Sequence, residues 1–414
     1  MSAVWSDLIG SPPLAAAGRE TARVTNTDAQ TRAPTRLRVA RLDGLRGLAV
    51  LSVVAFHLET HLGLVSRPGD GFVGVAVFFV LSGYLITRLV WKSDDGATWS
   101  GYWAFLHRRF RRLTPALTAF VVIWAMVSIV VGGDSIGVVL RSGALVMTQT
   151  SAYYFAGGGQ GNEGWGPTWS LSVEWCFYIL WPLAIWQFRR RGASALNVSR
   201  AATGLGLILY AVSLPLTQAH FYFLPLANIS VLLWGGALAL RHIRQSARVD
   251  LSPGGRDPRV VLLAIGLLLT MAIAPGMNPG AYRWFVLPAA VLGTLIVVDA
   301  RTNTRGMADR FLESRLLRAV GLRAYSIYLW HVPVIVLFLQ VLPGRSRYVL
   351  AGLSVLVLVP VVVASFELLE RPWLSGRDRD SGPSSGQADS RVRRRSVSLY
   401  SRMVGMCTGS GSAT

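Results

Sequence analysis

The chain of 414 residues is 52% hydrophobic and only 15% charged, where soluble domains carry roughly a quarter charged residues, and this excludes an ordinary soluble enzyme. Its 41 Lys+Arg against 21 Asp+Glu give a formal net charge of +20, which on so apolar a chain points first to a membrane with basic loops on its cytoplasmic side. Two cysteines, Cys176 and Cys407, exclude a disulfide framework, and neither has metal-ligand spacing around it.

Residues 1–38 are polar and rich in Ala, Thr and Arg, without the continuous apolar core of a signal peptide, and read as a flexible cytoplasmic tail. Ten apolar segments follow, at 42–63, 71–91, 115–132, 168–188, 201–217, 222–241, 259–275, 282–299, 321–342 and 347–369. Most approach the ~20 residues that cross a hydrocarbon core as helix, and those at 201–217 and 259–275 are the short ones. The stretch 135–156, broken by Arg141, suits an amphipathic or re-entrant segment better than a span. From 375 the chain turns Ser/Gly/Arg-rich, a second disordered tail.

The basic residues test this count. With the amino terminus inside, the cytoplasmic pieces 1–41, 88–114, 189–200, 241–259, 300–320 and 371–414 hold most of them, and the outer loops keep only Arg67, Arg141, Arg283, Arg345 and Arg347. The prediction is an all-α polytopic membrane protein of about ten transmembrane helices, both termini cytoplasmic, with one membrane domain over 39–374 between tails at 1–38 and 375–414. No internal repeat of the kind found in many secondary transporters is visible.

Ionisable groups at membrane depth are costly and are functional-site hypotheses by default. In the first span Arg46 lies near the inner face, and His57 is eleven residues further on, roughly 16 Å deeper. Eleven steps of about 100° return almost to the same face, so Arg46 and His57 share a stripe, with Asp43 near it. A neutral imidazole in a dry cavity can take a proton from a hydroxyl; the alternative is a histidine satisfied by a neighbouring carbonyl. In the fourth span Ser170, Glu174 and Tyr178 lie one turn apart on one face. Glu174 could orient a histidine, or serve as a structural hydrogen bond between helices. In the ninth span His331 lies about mid-depth with Tyr328 one turn before it, and spacing alone leaves it structural or catalytic. Arg108, Arg109, Arg111 and Arg112 crowd the start of the third helix. Positive-inside charge accounts for them, and so does a fork-rich anion site suited to phosphates.

Several motifs are missing: a Walker A loop, a GxGxxG opening a helix, HExxH, CxxC, and the HxxxxD of the phospholipid-synthesis acyltransferases. The hydrolase-like GDS at 133–135 has no downstream Asp/His partner and is read as chance. His61, His107, His220 and His242 lack ligand-like companions, and no metal site is expected.

The runs RLDGLRGLAVLSVVAFH (41–57), GFVGVAVFFVLSGYLIT (71–87), RRFRRLTPAL (108–117), WSLSVEWCFYILWP (169–182), AYSIYLWHVP (324–333) and ELLERP (367–372) resemble, in order, the motifs of the integral-membrane acyltransferase-3 family of bacterial O-acyltransferases. The resemblance covers about 39–374. It implies transfer of an acyl group, often acetyl, from cytoplasmic acyl-CoA, a co-substrate and not a bound cofactor, to a hydroxyl of a surface polysaccharide, peptidoglycan or a glycosylated metabolite. The family's arginine-ten-residues-histidine motif falls on Arg46 and His57, its paired-arginine motif on 108–112, its tryptophan-serine-leucine-x-glutamate motif on Trp169, Ser170, Leu171 and Glu174, and its late motif on Tyr328–His331. The chain departs from common family residues at Ala76, Trp175, Cys176, Asn228 and Ala324, which points to a divergent acceptor.

On this reading His57 and Glu174 are catalytic, with His57 as base and Glu174 as its orienter. Arg46, Arg108, Arg109, Arg111 and Arg112 hold the CoA, and Ser170, Tyr328 and His331 line the acceptor cavity. The expected location is the bacterial cytoplasmic membrane, multi-pass, with lipid, acyl-CoA and a carbohydrate-bearing acceptor as partners and no nucleic acid. The rival is a proton-coupled transporter or flippase with the intramembrane His and Glu as relay; a nucleic-acid-associated role fits poorly with arginines dispersed over six pieces.

Overall fold

The computed structural model describes residues 25–64, 72–93, 98–245, 279–299 and 307–375, with 263, 266 and 267 besides. Among them every regular element is helical. The chain runs through α1 (Thr25–Leu62), α2 (Phe72–Lys92), α3 (Trp99–Val130), α4 (Ile136–Met147), α5 (Ser151–Ala156), a 3₁₀ turn (Glu163–Thr168) and α6 (Trp169–Arg190). It continues through α7 (Ala195–Ser213), α8 (Gln218–Phe223), α9 (Pro225–Gln245), α10 (Pro279–Asp299), α11 (Met307–Leu312), α12 (Arg315–Leu322) and α13 (Ala324–Val341). It closes with α14 (Arg347–Ser365), a π turn (Phe366–Glu370) and α15 (Arg371–Ser375).

Six helices among the described residues are long and apolar enough to cross a membrane by length and composition: Phe72–Lys92, Trp99–Val130, Ala195–Ser213, Gln218–Arg244, Ala324–Val341 and Arg347–Trp373. The chain is a multi-pass membrane protein. α1, 38 residues long, and α6, 22 residues long, carry the polar groups of the site, and Asp43, Arg46 and Glu59 in the one and Glu174 in the other lower their hydropathy. The apolar part of α10, Tyr282–Val297, is shorter. The expected span at 259–275 lies almost wholly outside the described residues, as do most of the two expected tails, although α1 begins at Thr25, ahead of the expected boundary at 39. The stretch 135–156 forms the short helices α4 and α5, neither of which reaches across a bilayer.

α2 is the most buried of these helices and packs against α1, α6, α9 and α10. Its contact with α9 depends on two glycines facing each other's backbones. A Cβ on Gly83 would stand 1.9 Å from the carbonyl oxygen of Leu232, and one on Gly235 would stand 2.2 Å from that of Val80. Lipid tails are as apolar as leucine, so close backbone approach through small residues is what such an interface gains most from. Gly83→Ala is therefore expected to cost about 1–3 kcal/mol or more, since helix backbones and not a flexible side chain must move, and a lower thermal unfolding midpoint in detergent checks this. The same device joins α1 to α12, where a Cβ on Gly321 would lie 1.8 Å from the carbonyl oxygen of Asp43. It sets the Arg46 end of α1 against the start of α13.

Candidate active site

Two cavities lie inside the helical body. The first, about 60 Å³, is lined by Arg46, Arg112, Ser170, Glu174, Tyr325 and Tyr328 among apolar neighbours from α2 and α12. The second, about 800 Å³, is lined by His57, Thr60, His61, Asn162 and Glu163 and by a run of aromatic rings that includes Phe72, Trp169, Tyr222 and Tyr282. Val75 and Tyr328 line both, so the two cavities share a wall.

In the arginine cavity, Arg46 is 2% exposed and donates from Nη1 to Asp43 Oδ1 at 3.2 Å, as their spacing of three on α1 allows, while its Nε and Nη2 are buried without a hydrogen-bond partner. The four arginines of α3 separate by burial. Arg109 and Arg112 point inward, 4% and 5% exposed, whereas Arg108 and Arg111 face outward. The expected four-residue anion site is thus corrected to an inward pair and an outward pair. Arg111 lies over the Trp373 ring at 4.7 Å, and Arg109 lies over Tyr178 at 5.4 Å. Both terminal nitrogens of Arg109, and Nε and Nη1 of Arg112, are buried with no hydrogen-bond partner. Unsatisfied buried guanidinium donors are costly, and planar guanidinium groups are chemically suited to binding an anion.

Glu174 accepts hydrogen bonds from Ser82 Oγ at 2.7 Å and from Tyr178 O–H at 2.5 Å. Glu174 forms no hydrogen bond to His57 and lines the arginine cavity, whereas His57 lines the other one. The expected Glu174–His57 couple is corrected on that ground. Tyr328 donates to the carbonyl oxygen of Pro167 at 2.8 Å and meets Ser170 Oγ at 2.6 Å, which fixes the shared wall.

In the histidine cavity, the His57 ring stacks on His61 with centroids 5.8 Å apart, and behind it faces His331 at 5.0 Å. Of the three residues expected to line this cavity Tyr328 does so, whereas Ser170 lines the arginine cavity and His331 lines neither. His331 is fully buried, and its Nδ1 lies 3.1 Å and 2.9 Å from the carbonyl oxygens of Ile327 and Tyr328. His61 Nδ1 meets Glu163 Oε2 at 3.0 Å, a pairing that the sequence did not show. The four-residue spacing of His57 and His61 on one helix is the signal that could have found the pair. No group of three or more His, Cys, Asp or Glu able to hold a metal occurs among the described residues.

The departures from family residues have local explanations. Asn228 donates to the carbonyl oxygens of Tyr222 and Leu224 and accepts from Tyr282 O–H at 2.9 Å, tying α9 to α8 and α10. Trp175 packs against Tyr178, Cys176 Sγ lies 3.6 Å from Tyr153 O–H, and Ala324 lines the arginine cavity. Nothing in the structure explains Ala76 beyond its burial on α2. Asp134 of the GDS tripeptide accepts from Asn162 Nδ2 at 2.5 Å and takes part in neither cavity.

Buried arginines, a carboxylate and histidines around two adjoining cavities in an apolar helical bundle define a polytopic membrane protein with an internal ionic site. The particular family follows from comparison: the acyltransferase-3 family, described as an acyltransferase domain, matches residues 39–366, and the chain belongs to it. Among its relatives are the peptidoglycan O-acetyltransferase OatA of Listeria monocytogenes, 29% identical over 365 residues, and O-acetyltransferase OatA of Staphylococcus aureus, 26% identical over 313. The alignments cover 81% and 71% of this chain but 56% and 50% of those proteins, so the chain spans about half the length of the curated relatives it matches. No solved structure matches it.

Proposed function

We propose that the chain is an O-acyltransferase of the bacterial cytoplasmic membrane that moves a short acyl group, acetyl in the first instance, from cytoplasmic acyl-CoA to a hydroxyl of a carbohydrate. The observation that carries this reading is the pair of cavities sharing Tyr328: one with unsatisfied arginine donors, the other with a histidine. The arginine cavity faces the cytoplasm and takes the CoA phosphates against Arg109 and Arg112, with Arg46 deeper beside the thioester. The aromatic walls of the histidine cavity offer stacking faces for sugar rings. His57 takes the proton of the acceptor hydroxyl, or of an intermediary nucleophile. The oxygen attacks the thioester carbonyl, the carbon–sulfur bond breaks, and the departing thiolate recovers the proton. Glu174, tied to Ser82 and Tyr178, balances the charge of the arginines and does not orient the base.

The names of the relatives favour a peptidoglycan acceptor, and the family's breadth also admits a glycosylated metabolite. About ten spans with both termini cytoplasmic complete the reading, supported by the distribution of arginines along the chain. Membranes from a strain expressing the full chain should release thiol from acetyl-CoA and transfer label to envelope glycan or to a metabolite. A deletion strain should lose one acetyl increment from one of them by mass spectrometry. Uptake or efflux by the purified protein in liposomes, without any acyl donor, would instead establish the transporter.

A further inference from the structure

A general-base imidazole needs one ring nitrogen free for the substrate and the other held by an acceptor, so that tautomer and ring plane are fixed and the imidazolium is stabilised. Glu174 does not supply that acceptor here, because it lines the other cavity and bonds Ser82 and Tyr178, not His57. The nitrogen of His57 that needs holding is identifiable: Nδ1 is buried with no hydrogen-bond partner, which leaves Nε2 for the cavity that His57 lines.

The nearest candidate to hold it is another ring. Nδ1 of His331 lies against two backbone carbonyl oxygens, so in the neutral ring that nitrogen carries the hydrogen and Nε2 is a bare acceptor. That Nε2 is also buried and without a partner. Two imidazoles joined by an N–H···N bond of about 3 Å have centroids about 5 Å apart, and these rings are 5.0 Å apart, tilted by 57°. Two buried nitrogens of complementary character, a donor and an acceptor, thus lie on neighbouring rings at a separation that an N–H···N bond can span.

We propose that His331 is the positioning residue of the reaction: its Nε2 accepts from His57 Nδ1–H and so presents His57 Nε2 to the acceptor hydroxyl. The backbone carbonyls of Ile327 and Tyr328 do for His331 what a carboxylate does for the histidine of a hydrolytic triad. When His57 Nε2 takes the hydroxyl proton, the positive charge is shared across the N–H···N bond, and it is relieved when the same proton passes to the departing thiolate. The other ionisable groups on this cavity are His61 with its partner Glu163, stacked on the far face of the His57 ring, and the tyrosines 222, 282 and 328. The inference rests on His57 as the base.

Two isosteres separate this role from a merely structural one. His331→Asn places an amide near the Nδ1 position, which keeps the tie to the carbonyls and removes the Nε2 acceptor. His331→Gln places an amide oxygen near the Nε2 position. Thiol release from acetyl-CoA is measured in membranes of a deletion strain carrying each full-length variant, where the native acceptor is present, with unfolding midpoints of the purified variants in detergent. Expected for His331→Asn is a loss in kcat of at least about 100-fold with the KM for acetyl-CoA within about twofold, and for His331→Gln activity within about tenfold of the wild type. His331→Asn as active as His331→Gln or more so, wild-type rates in both, or equal loss in both overturns the inference. His57→Ala is run beside them. If it retains transfer, the base assignment itself fails; if it is inactive while His331→Asn is wild-type-like, this inference alone fails.

Discussion

Replacing His57 by alanine is expected to lower acyl transfer by about 10²- to 10⁴-fold while leaving acyl-CoA binding intact. The separation of the two effects follows from the geometry. His57 lines the large aromatic cavity, and Arg46 and Arg112 line the other, with Arg109 buried behind it and with Val75 and Tyr328 as the wall between the cavities. Removal of an imidazole from one side leaves the guanidinium donors on the other untouched. Its neighbours do not substitute for it: His61 is engaged with Glu163, and His331 is fully buried with Nδ1 against two carbonyl oxygens. The measurement is thiol release alongside equilibrium binding of acetyl-CoA to the purified variant. Loss of binding together with turnover would place His57 among the donor contacts and remove it as the base.

The second large effect concerns the arginines of α3. Arg112→Ala and Arg109→Ala are each expected to raise the KM for acetyl-CoA by about 10- to 100-fold, which corresponds to the loss of one charge-assisted contact of about 1.5–3 kcal/mol. Arg108→Ala and Arg111→Ala are expected to change it by less than about threefold. All four carry the same formal charge, so a pure topology signal predicts equal and small effects. The distinction is burial. The inward pair presents donors that no protein group satisfies, whereas the outward pair faces away from the cavity, with Arg111 already over Trp373. Replacement by lysine discriminates further, since a point charge keeps the attraction but loses the planar fork, and Arg112→Lys should recover only part of the loss. Equal KM values across all four alanine variants would remove the inward pair from the donor site.

Much of this site was legible in the sequence, for reasons that differ by residue. Arg46 and His57 share a helical stripe because eleven residues come close to three whole turns, and both line cavities. Periodicity alone does not separate Arg109 and Arg112 from Arg108 and Arg111, because Arg108 and Arg112 are four residues apart and close on the helix surface; only the packing of α3 shows which pair is buried. Tyr328 and Ser170 stood out as polar groups in apolar runs. Contacts between residues far apart in the chain were out of reach. Glu174 is held by Ser82, 92 positions earlier, and His61 by Glu163 from a turn between helices, and no local pattern announces either. The error over Glu174 has the same origin. Spacing along one helix shows what shares a face with it, but not which neighbouring helix fills that face.

The fold was readable to a similar degree. Long apolar segments such as 71–91 and 347–369 became long helices, because in hydrocarbon an unsatisfied backbone group has no alternative partner. Two of the helices that carry the site, α1 and α6, have polar residues that weaken that signal, whereas α3 and α13, which carry Arg109, Arg112, Tyr328 and His331, keep it. The glycine contacts between α2 and α9 were not visible as such: Gly83 and Gly235 lie far apart in the sequence, and only the assembled bundle shows each pressed against the other's helix.

The wall at Tyr328 bears on the membrane as a barrier. Its hydroxyl donates to the carbonyl oxygen of Pro167 and meets Ser170 Oγ, so three elements of the bundle are pinned together where the two cavities touch. A catalyst drawing its donor from one side of a bilayer and its acceptor from the other would, with a continuous passage between them, also conduct protons and small ions and dissipate the gradient that the cell maintains. A hydrogen-bonded partition avoids this. On the proposed reading, each substrate would reach the reaction centre from its own vestibule, and the acyl group alone would change compartment.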